Sequence, residues 1–220
     1  MCILISTGTK IVRLTHRMPY TANIRRRSMD SDWQSIDLAN PTEEHTMLRK
    51  MIRDFVLEEV EPQALEYDKK EIFNVDLFKK LGDYGLLGIS VPEEYGGAGM
   101  DTVSYVLAME EISKVDSSVS VAMSVNNSLV CWGLEEYGSE AQKQKYLTPL
   151  AQGIKDEELY IGAFLLSEPE AGSDATHQHT SAVKEGDHYI INGVKNWITN
   201  GSTASVYLVI AQTDYTKGHK

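Results

Sequence analysis

The stretch Leu159-Tyr-Ile-Gly-Ala-Phe-Leu-Leu166 marks the point at which the chain changes from helical patterns to strand patterns. It is a short apolar run of strand length, and two more segments of the same kind follow at 188–192 and 206–210. A turn at Glu185-Gly186-Asp187 precedes the first of them. Short apolar segments separated by turn residues are typical of β-structure. The sequence therefore predicts a β unit from residue 158 to residue 220.

Upstream of residue 158 the apolar residues have the spacing of amphipathic helices. The first predicted helix has Asn40 as its N-cap and Pro41 at its first position, and it ends near Pro62. Its apolar residues recur every four positions, as Met47, Leu48, Met51, Ile52, Phe55, Val56 and Val60. Further helices are predicted over 74–84, 102–115, 117–137 and 139–153. Helices that precede the strands, rather than alternate with them, indicate two units and not a βαβ sheet.

The first 28 residues differ from the rest of the chain in charge. They contain six basic residues and no acidic one, which leaves −17 on the remainder of a chain whose formal charge is −11. Such an Arg-rich, acid-free segment is typical of an organellar transit peptide, and an unstructured leader or a true start at Met29 fits equally well. We expect residues 1–38 to be a basic leader without fixed structure. The acidic remainder would repel a phosphate backbone, which argues against nucleic-acid binding.

Composition excludes several other classes of protein. No apolar run is long enough to predict a membrane-spanning helix. Cys2 and Cys131 match neither a zinc motif nor a disulfide framework, so no metal site is predicted. A chain of 220 residues is long enough to bury a stable core without such links.

Two segments carry residue types that packing alone does not explain. The first, Phe164-Leu-Leu-Ser-Glu-Pro-Glu-Ala-Gly-Ser-Asp174, is a strand that runs into a turn with small residues, which let a planar ligand approach the backbone closely. The second, Asn192-Gly-Val-Lys-Asn-Trp-Ile-Thr-Asn-Gly201, places Trp197 and Thr199 on one side if the chain is extended. A flat heteroaromatic cofactor would be held by a ring contact from the Trp and a hydrogen bond from the Thr. The alternative is a β-hairpin with a core Trp and Asn-Gly turns.

These two segments resemble the flavin signatures of the acyl-CoA dehydrogenase family. Leu166–Asp174 is similar to the first signature and Asn196–Gly201 to the second. Four segments of the helical half resemble the same family, most closely its short-chain (butyryl-CoA) branch: Val91–Gly99, Met109–Ser113, Met123–Leu129 and Tyr137–Tyr146. The resemblance extends from about Thr42 to Thr213.

The fold implied by this resemblance has an N-terminal helical domain, a middle β-barrel and a C-terminal helical bundle. We therefore expect a multidomain α and β protein, with an N-terminal all-α helical bundle at 39–157 followed by an incomplete antiparallel β-barrel domain at 158–220. Three or four strands are too few to close a barrel. The C-terminal helical domain is expected to be absent from the chain.

The activity implied by the resemblance is FAD-dependent α,β-dehydrogenation of a short- or medium-chain acyl-CoA thioester, in fatty-acid or branched-chain amino-acid catabolism. The family passes the electrons to an electron-transfer flavoprotein and forms homotetramers. The location would be the mitochondrial matrix in a eukaryote or the cytoplasm in a bacterium. Two alternatives remain open: a truncated, non-catalytic product that acts as a binding or oligomerisation module, and a relative of the acyl-CoA oxidases.

The resemblance also implies roles for individual residues. The predicted flavin-binding set is Phe164, Leu166, Ser167, Glu168, Gly172, Ser173, Trp197, Ile198 and Thr199. Within this set, the Ser167 hydroxyl would bond the pyrimidine edge of the flavin, Trp197 would flank the ring, and the Thr199 hydroxyl would bond N5. Ser173 would also contact the pantetheine arm of the substrate. One departure from many relatives is Glu170, where they have Gly.

The chain lacks a match to the catalytic base of the family. That base is a glutamate in the C-terminal bundle, and no glutamate in this sequence fits its motif. Removal of the weakly acidic α-proton of the substrate needs a positioned base. We therefore assign no catalytic residue in this chain and expect the 220 residues alone to be inactive as a dehydrogenase.

Overall fold

The structure, a computed structural model, describes residues 2–6, 12–13 and 41–217. The helices are α1 Glu43–Phe55, α2 Glu61–Lys70, α3 Val75–Asp83, α4 Thr102–Ser113, α5 Ser117–Ser124, α6 Trp132–Tyr137, α7 Glu140–Gln142 and α8 Thr148–Gln152. Wider π-helical turns at Val56–Val60, Val125–Cys131 and Lys143–Leu147 join α1 to α2, α5 to α6 and α7 to α8. The helical order predicted from the sequence is therefore confirmed for residues 41–152.

The first helix begins later than the sequence predicts, and the helical path that continues from it through α2 ends later. Thr42 is its N-cap, because the Thr42 side chain accepts a hydrogen bond from the backbone N–H of His45 (3.2 Å). Asn40 lies outside the described residues. At the other end, Pro62 stands near the start of α2, where a missing N–H costs little. The helical path therefore continues past the proline to Lys70.

The strands form small sheets beyond the helices. Their bounds are β1 Cys2–Ser6, β2 Val12–Arg13, β3 Ile154–Lys155, β4 Glu158–Leu159, β5 Gly162–Leu165, β6 Ser181–Glu185, β7 His188–Asn192 and β8 Val206–Ile210. The largest sheet has the order β2-β1-β8-β5, while β3 pairs with β4 and β6 with β7, each pair antiparallel. The predicted order of helices followed by β-structure is thus confirmed, and the described residues contain no closed barrel.

Two features of the largest sheet differ from the expectation. β5 and β8 are parallel, with Phe164 opposite Leu208, because the chain between them contains the β6–β7 hairpin and is long enough to return in the same direction. β1 pairs antiparallel with β8. β1 and β2 belong to the segment predicted to lack fixed structure, so that prediction is wrong for these two stretches. The rest of residues 1–38 lies outside the described residues.

The helical and β units share apolar cores. One cluster lies among the helices, and its fully buried members include Ile52, Leu81, Leu87, Ile112 and Met123. A second cluster combines helical side chains with those of β8, and includes Val130, Leu134, Leu147, Val206 and Leu208. Because burial of apolar surface is the main driving force of folding, the second cluster fixes the sheet against the helices.

A buried carboxylate joins α1 to α4. Glu111 is 2% exposed, and it forms ion pairs with Arg49, with Arg53 (Nη2, 2.9 Å) and with Lys114 (Nζ, 2.6 Å). Burial acts to raise the pKa of Glu111, but hydrogen bonds from Lys114 and Arg49 outweigh it and lower the pKa overall. Ionised Glu111 therefore stabilises the fold above the pKa of the unfolded chain, and this contribution is lost as the pH falls through the folded-state pKa.

Substitution of this carboxylate tests its contribution. Glu111→Gln is expected to lower the free energy of unfolding by about 2 kcal/mol at neutral pH, because charge-assisted hydrogen bonds are lost. Urea unfolding at about pH 7 and about pH 4 should show the difference from wild type shrinking at the lower pH. The control is Glu66→Gln, since Glu66 forms an exposed pair with Lys70. Equal losses in both variants at both pH values would contradict the prediction.

Candidate functional site

The first predicted segment leaves β5 and forms a closed turn. Glu168 and Ala171 exchange two backbone hydrogen bonds, of 3.1 and 3.2 Å, that close it. The side chains before the turn are half-buried and those after it are exposed: Phe164, Leu166 and Ser167 in the first group, Gly172 and Ser173 in the second. A Cβ added to Gly172 would meet nothing within 4 Å, so the space beside the turn is open.

The second predicted segment is not extended. Trp197 (φ +57°) and Asn200 (φ +65°) have left-handed backbone conformations, so the assumption that an extended chain aligns Trp197 with Thr199 is wrong. The Trp197 indole is 90% exposed, which also overturns the alternative of a core Trp in a hairpin. The hairpin of this region is β6–β7, which ends at Asn192 before the segment begins to turn. Ile198 and Thr199 are half-buried.

The structure brings the two segments together through consecutive backbone groups. The backbone N–H of Asn196 donates to the carbonyl of Ser167 (3.0 Å). The neighbouring Lys195 Nζ donates to the carbonyl of Leu166 (2.8 Å). The side chains of both signatures therefore belong to one region of the surface, as the sequence interpretation requires.

A buried ion pair lies under this junction. Lys195 Nζ is 2.8 Å from Glu168 Oε1, and the side chains are 6% and 2% exposed. The Glu168 carboxylate also accepts the backbone N–H groups of His179 (2.5 Å) and Thr180 (2.9 Å). Burial acts to raise the pKa of Glu168, but the Lys195 bond and the two N–H groups outweigh it and lower the pKa to about 2. The carboxylate is therefore ionised at neutral pH and turned into the protein.

Two asparagines hold the first residue of β5 by its backbone groups. Asn126 Oδ1 accepts the Gly162 N–H (2.9 Å), and Asn200 Nδ2 donates to the Gly162 carbonyl (3.1 Å) and to the Ala122 carbonyl (3.0 Å). Sequence reasoning missed these residues and Lys195. The available signal was the amide pair at 126–127 within an apolar helical run, since buried amides must find hydrogen-bond partners.

The polar groups at this junction fit a flat ring with a polar edge. The half-buried hydroxyls of Ser167 and Thr199 bond to no other described residue, and Asn196 Oδ1 is buried without a partner there. The exposed Trp197 offers an apolar face. A cavity of about 430 Å³ adjoins Thr199 and is bounded by α2, α5 and the loop at 71–74. Of the predicted set, only Thr199 lines this cavity. The donor set at the junction is of the kind that a flavin ring needs.

The described ranges contain neither a candidate metal centre nor a candidate membrane span. Among residues 41–217 and the short strands before them, no group of His, Cys, Asp and Glu could hold a metal ion. No helix in the same part of the chain is long and apolar enough to cross a membrane.

Known proteins resemble this chain in sequence and in structure. A short-chain specific acyl-CoA dehydrogenase of Clostridium acetobutylicum is 49% identical over 181 residues, which are 82% of this chain and 46% of that protein. The solved butyryl-CoA dehydrogenase of Megasphaera elsdenii superposes with a TM-score of 0.74 at 38% identity, over 86% of this chain and 47% of that one. A glutaryl-CoA dehydrogenase of Mycobacterium smegmatis in complex with FADH2 gives 0.74 at 37% identity, over 79% and 43%. The chain thus spans about half the length of these relatives.

Family models divide the chain at the same place as its architecture. Residues 42–154 match the N-terminal domain of acyl-CoA dehydrogenases, and residues 163–220 match their middle domain. The boundary between the two matches falls where the helices end and β5 begins. The chain belongs to the acyl-CoA dehydrogenase family.

Proposed function

We propose that this chain supplies the flavin-holding region of an FAD-dependent acyl-CoA dehydrogenase that acts on short- or medium-chain acyl thioesters. The observation that carries the proposal is the junction of the two signature segments, which places the half-buried Ser167 and the exposed Trp197 in one region of the surface, with Thr199 at the edge of a cavity. The FADH2 complex of the glutaryl-CoA dehydrogenase supports the choice of cofactor.

Each predicted residue has a part in this proposal. Phe164 and Leu166 give an apolar wall, the Ser167 hydroxyl bonds the pyrimidine edge, and Trp197 shields one side of the ring. The Thr199 hydroxyl bonds N5. The remaining members of the set contribute backbone or small side chains: Glu168, whose carboxylate is occupied by Lys195, together with Gly172, Ile198 and the substrate-contacting Ser173.

The residues of this chain would position and shield the flavin ring. None of them is assigned the removal of the α-proton. The chemistry that FAD would supply when bound is that of a hydride acceptor for the β-carbon of the substrate. The Thr199 hydroxyl fixes the edge at which that hydride arrives, and Trp197 excludes water from it. The base that removes the α-proton is assigned to no residue of this chain. The proposed partners are the acyl-CoA substrate, an electron-transfer flavoprotein and further copies of the same subunit in a tetramer, in the mitochondrial matrix or a bacterial cytoplasm.

Quenching of tryptophan fluorescence tests the proposed flavin site. Titration of the 220-residue chain with FAD is expected to quench the emission of Trp197, because an exposed indole beside a bound flavin loses its excited state to the ring. Trp197→Phe should remove most of this quenching. The matched control is Trp132→Phe, since Trp132 is 48% exposed and lies on α6.

Two results would overturn the flavin site. One is a natively folded chain, judged by its circular dichroism, that shows no FAD-dependent quenching. The other is quenching that disappears in Trp132→Phe and persists in Trp197→Phe.

A further inference from the structure

We propose that Lys195 and Glu168 are positioning residues that set the distance between the two flavin-contacting segments. The inference rests on the proposed function, since it concerns how the same site is held. It also gives Glu168 a part different from that of a cofactor ligand. The pair is buried in the protein and acts on the site through the backbone next to Ser167 and Trp197.

The Lys195 ammonium uses its three donors on three different partners. They are Glu168 Oε1 (2.8 Å), the Leu166 carbonyl (2.8 Å) and Gln178 Oε1 (2.9 Å). An ammonium carries three N–H donors, so none is left for a ligand. Lys195 therefore connects the first signature, the second signature and the loop that carries Gln178.

The Glu168 carboxylate completes the connection from the other side. Its two oxygens accept the backbone N–H groups of His179 and Thr180 in addition to the lysine. The loop at 178–180 is thus held by a side chain of the first signature and by one of the second. Three segments that are distant in sequence meet at one charged pair that is more than nine-tenths buried.

The spacing between the two signature segments depends on the contacts of Lys195 and its neighbour Asn196. Lys195 and Asn196 are consecutive, and they bind the consecutive carbonyls of Leu166 and Ser167. Trp197 follows directly. A shift of the lysine therefore moves the indole relative to the Ser167 side chain, which changes the width of the space between them.

Stability alone does not account for a charged pair at this place. Replacing a buried ion pair with apolar side chains of similar volume is often neutral or stabilising, because two charges no longer have to be desolvated. The three directed hydrogen bonds of the Lys195 ammonium, in contrast, fix a geometry that apolar packing does not fix. The ion pair is thus better explained by a role in fixing the geometry of the site than by a contribution to the stability of the fold.

The central test removes both charges at once. Glu168→Leu combined with Lys195→Met leaves no unpaired buried charge. It does remove the partners of the His179 and Thr180 N–H groups and of the Leu166 carbonyl, so we expect the variant to fold with a urea midpoint below that of wild type. We expect about ten- to hundredfold weaker FAD binding, by comparison with the loss found when outer-shell partners of metal ligands are removed. The visible circular dichroism of the bound flavin should also change. Lys195→Arg keeps the charge but cannot reproduce the three hydrogen bonds of the ammonium. This variant should fold, bind FAD more weakly than wild type and change the flavin circular dichroism.

The matched control is the exposed pair Lys50 and Asp54 on α1. Its side chains are 77% and 61% exposed, and Lys50→Met combined with Asp54→Leu should leave FAD binding and the flavin spectrum unchanged. Wild-type FAD affinity and an unchanged flavin spectrum in both Lys195 variants would overturn the positioning role.

A measurement without FAD separates this inference from the proposed function. The Asn196 N–H donates to Ser167, and its hydrogen exchange should be about tenfold or more faster in the double variant, while amides of the helical core keep their protection. Unchanged Asn196 protection would overturn the inference whether or not FAD binds. Absence of FAD binding to the wild-type chain, together with the expected change at Asn196, would instead reject the flavin function and leave the geometric role supported.

Discussion

Replacement of Asn126 by alanine is expected to lower the free energy of unfolding by about 4 kcal/mol. The Asn126 side chain is fully buried, and its Nδ2 donates to the carbonyls of Leu87 (2.8 Å) and Leu150 (3.1 Å). Its Oδ1 accepts the N–H of Gly162 (2.9 Å). Alanine removes the partner of the Leu87 carbonyl and of the Gly162 N–H, and each loss costs about 1–3 kcal/mol, whereas the Leu150 carbonyl still accepts the Gly153 N–H (3.3 Å).

Urea unfolding followed by circular dichroism measures the effect of Asn126→Ala. The control is Asn192→Ala, because the Asn192 side chain is exposed at the end of β7. The control should unfold at the wild-type midpoint. A loss below about 1 kcal/mol in Asn126→Ala would show that the three bonds do not carry the connection between the helices and β5.

Gly162→Ala is expected to be almost as damaging, by about 3 kcal/mol, although it adds a single methyl group. A Cβ at residue 162 would lie 2.5 Å from Val130 Cγ1 and 2.8 Å from Val130 Cβ. Val130 is fully buried on the π-helical turn between α5 and α6. Its β-branched side chain has little rotational freedom in a helix, so the strand itself has to shift.

A double-mutant cycle shows whether this overlap is the cause. Val130→Ala removes the two overlapping methyl groups and keeps only Cβ, so Gly162→Ala should cost less, but still cost some stability, in the Val130→Ala background compared with wild type. Gly172→Ala is the matched control, since open space surrounds Gly172. Equal costs of Gly162→Ala in both backgrounds would contradict the steric explanation.

The parts of the fold that depend on local pattern were predictable. The apolar periodicity gave helices that the structure confirms. One of them, α7, begins with a capping box formed by Ser139 and Gln142. The first helix was misplaced because two good capping residues, Asn40 and Thr42, stand two positions apart. The parallel pairing of β5 with β8 was not predictable from local pattern, since direction depends on the path of the whole intervening chain.

The candidate site shows the same division between local and distant information. The two signature segments were recognisable, but their geometry was not. Glycine is the usual residue at a left-handed φ, so nothing in the sequence marks Trp197 as left-handed. Lys195 and Asn200 escaped notice for another reason. Their partners lie about 17 to 78 positions away along the chain, and only the folded structure brings them into contact.

The backbone at Trp197 has a consequence for how such a chain evolves. A left-handed conformation costs an ordinary L-residue roughly 1–2 kcal/mol, and an indole that is 90% exposed recovers little of that by burial. Selection for thermal tolerance alone would favour glycine at this position. A tryptophan at this position therefore costs conformational stability, and the ligand contact proposed for its ring would offset that cost only when the ligand is bound.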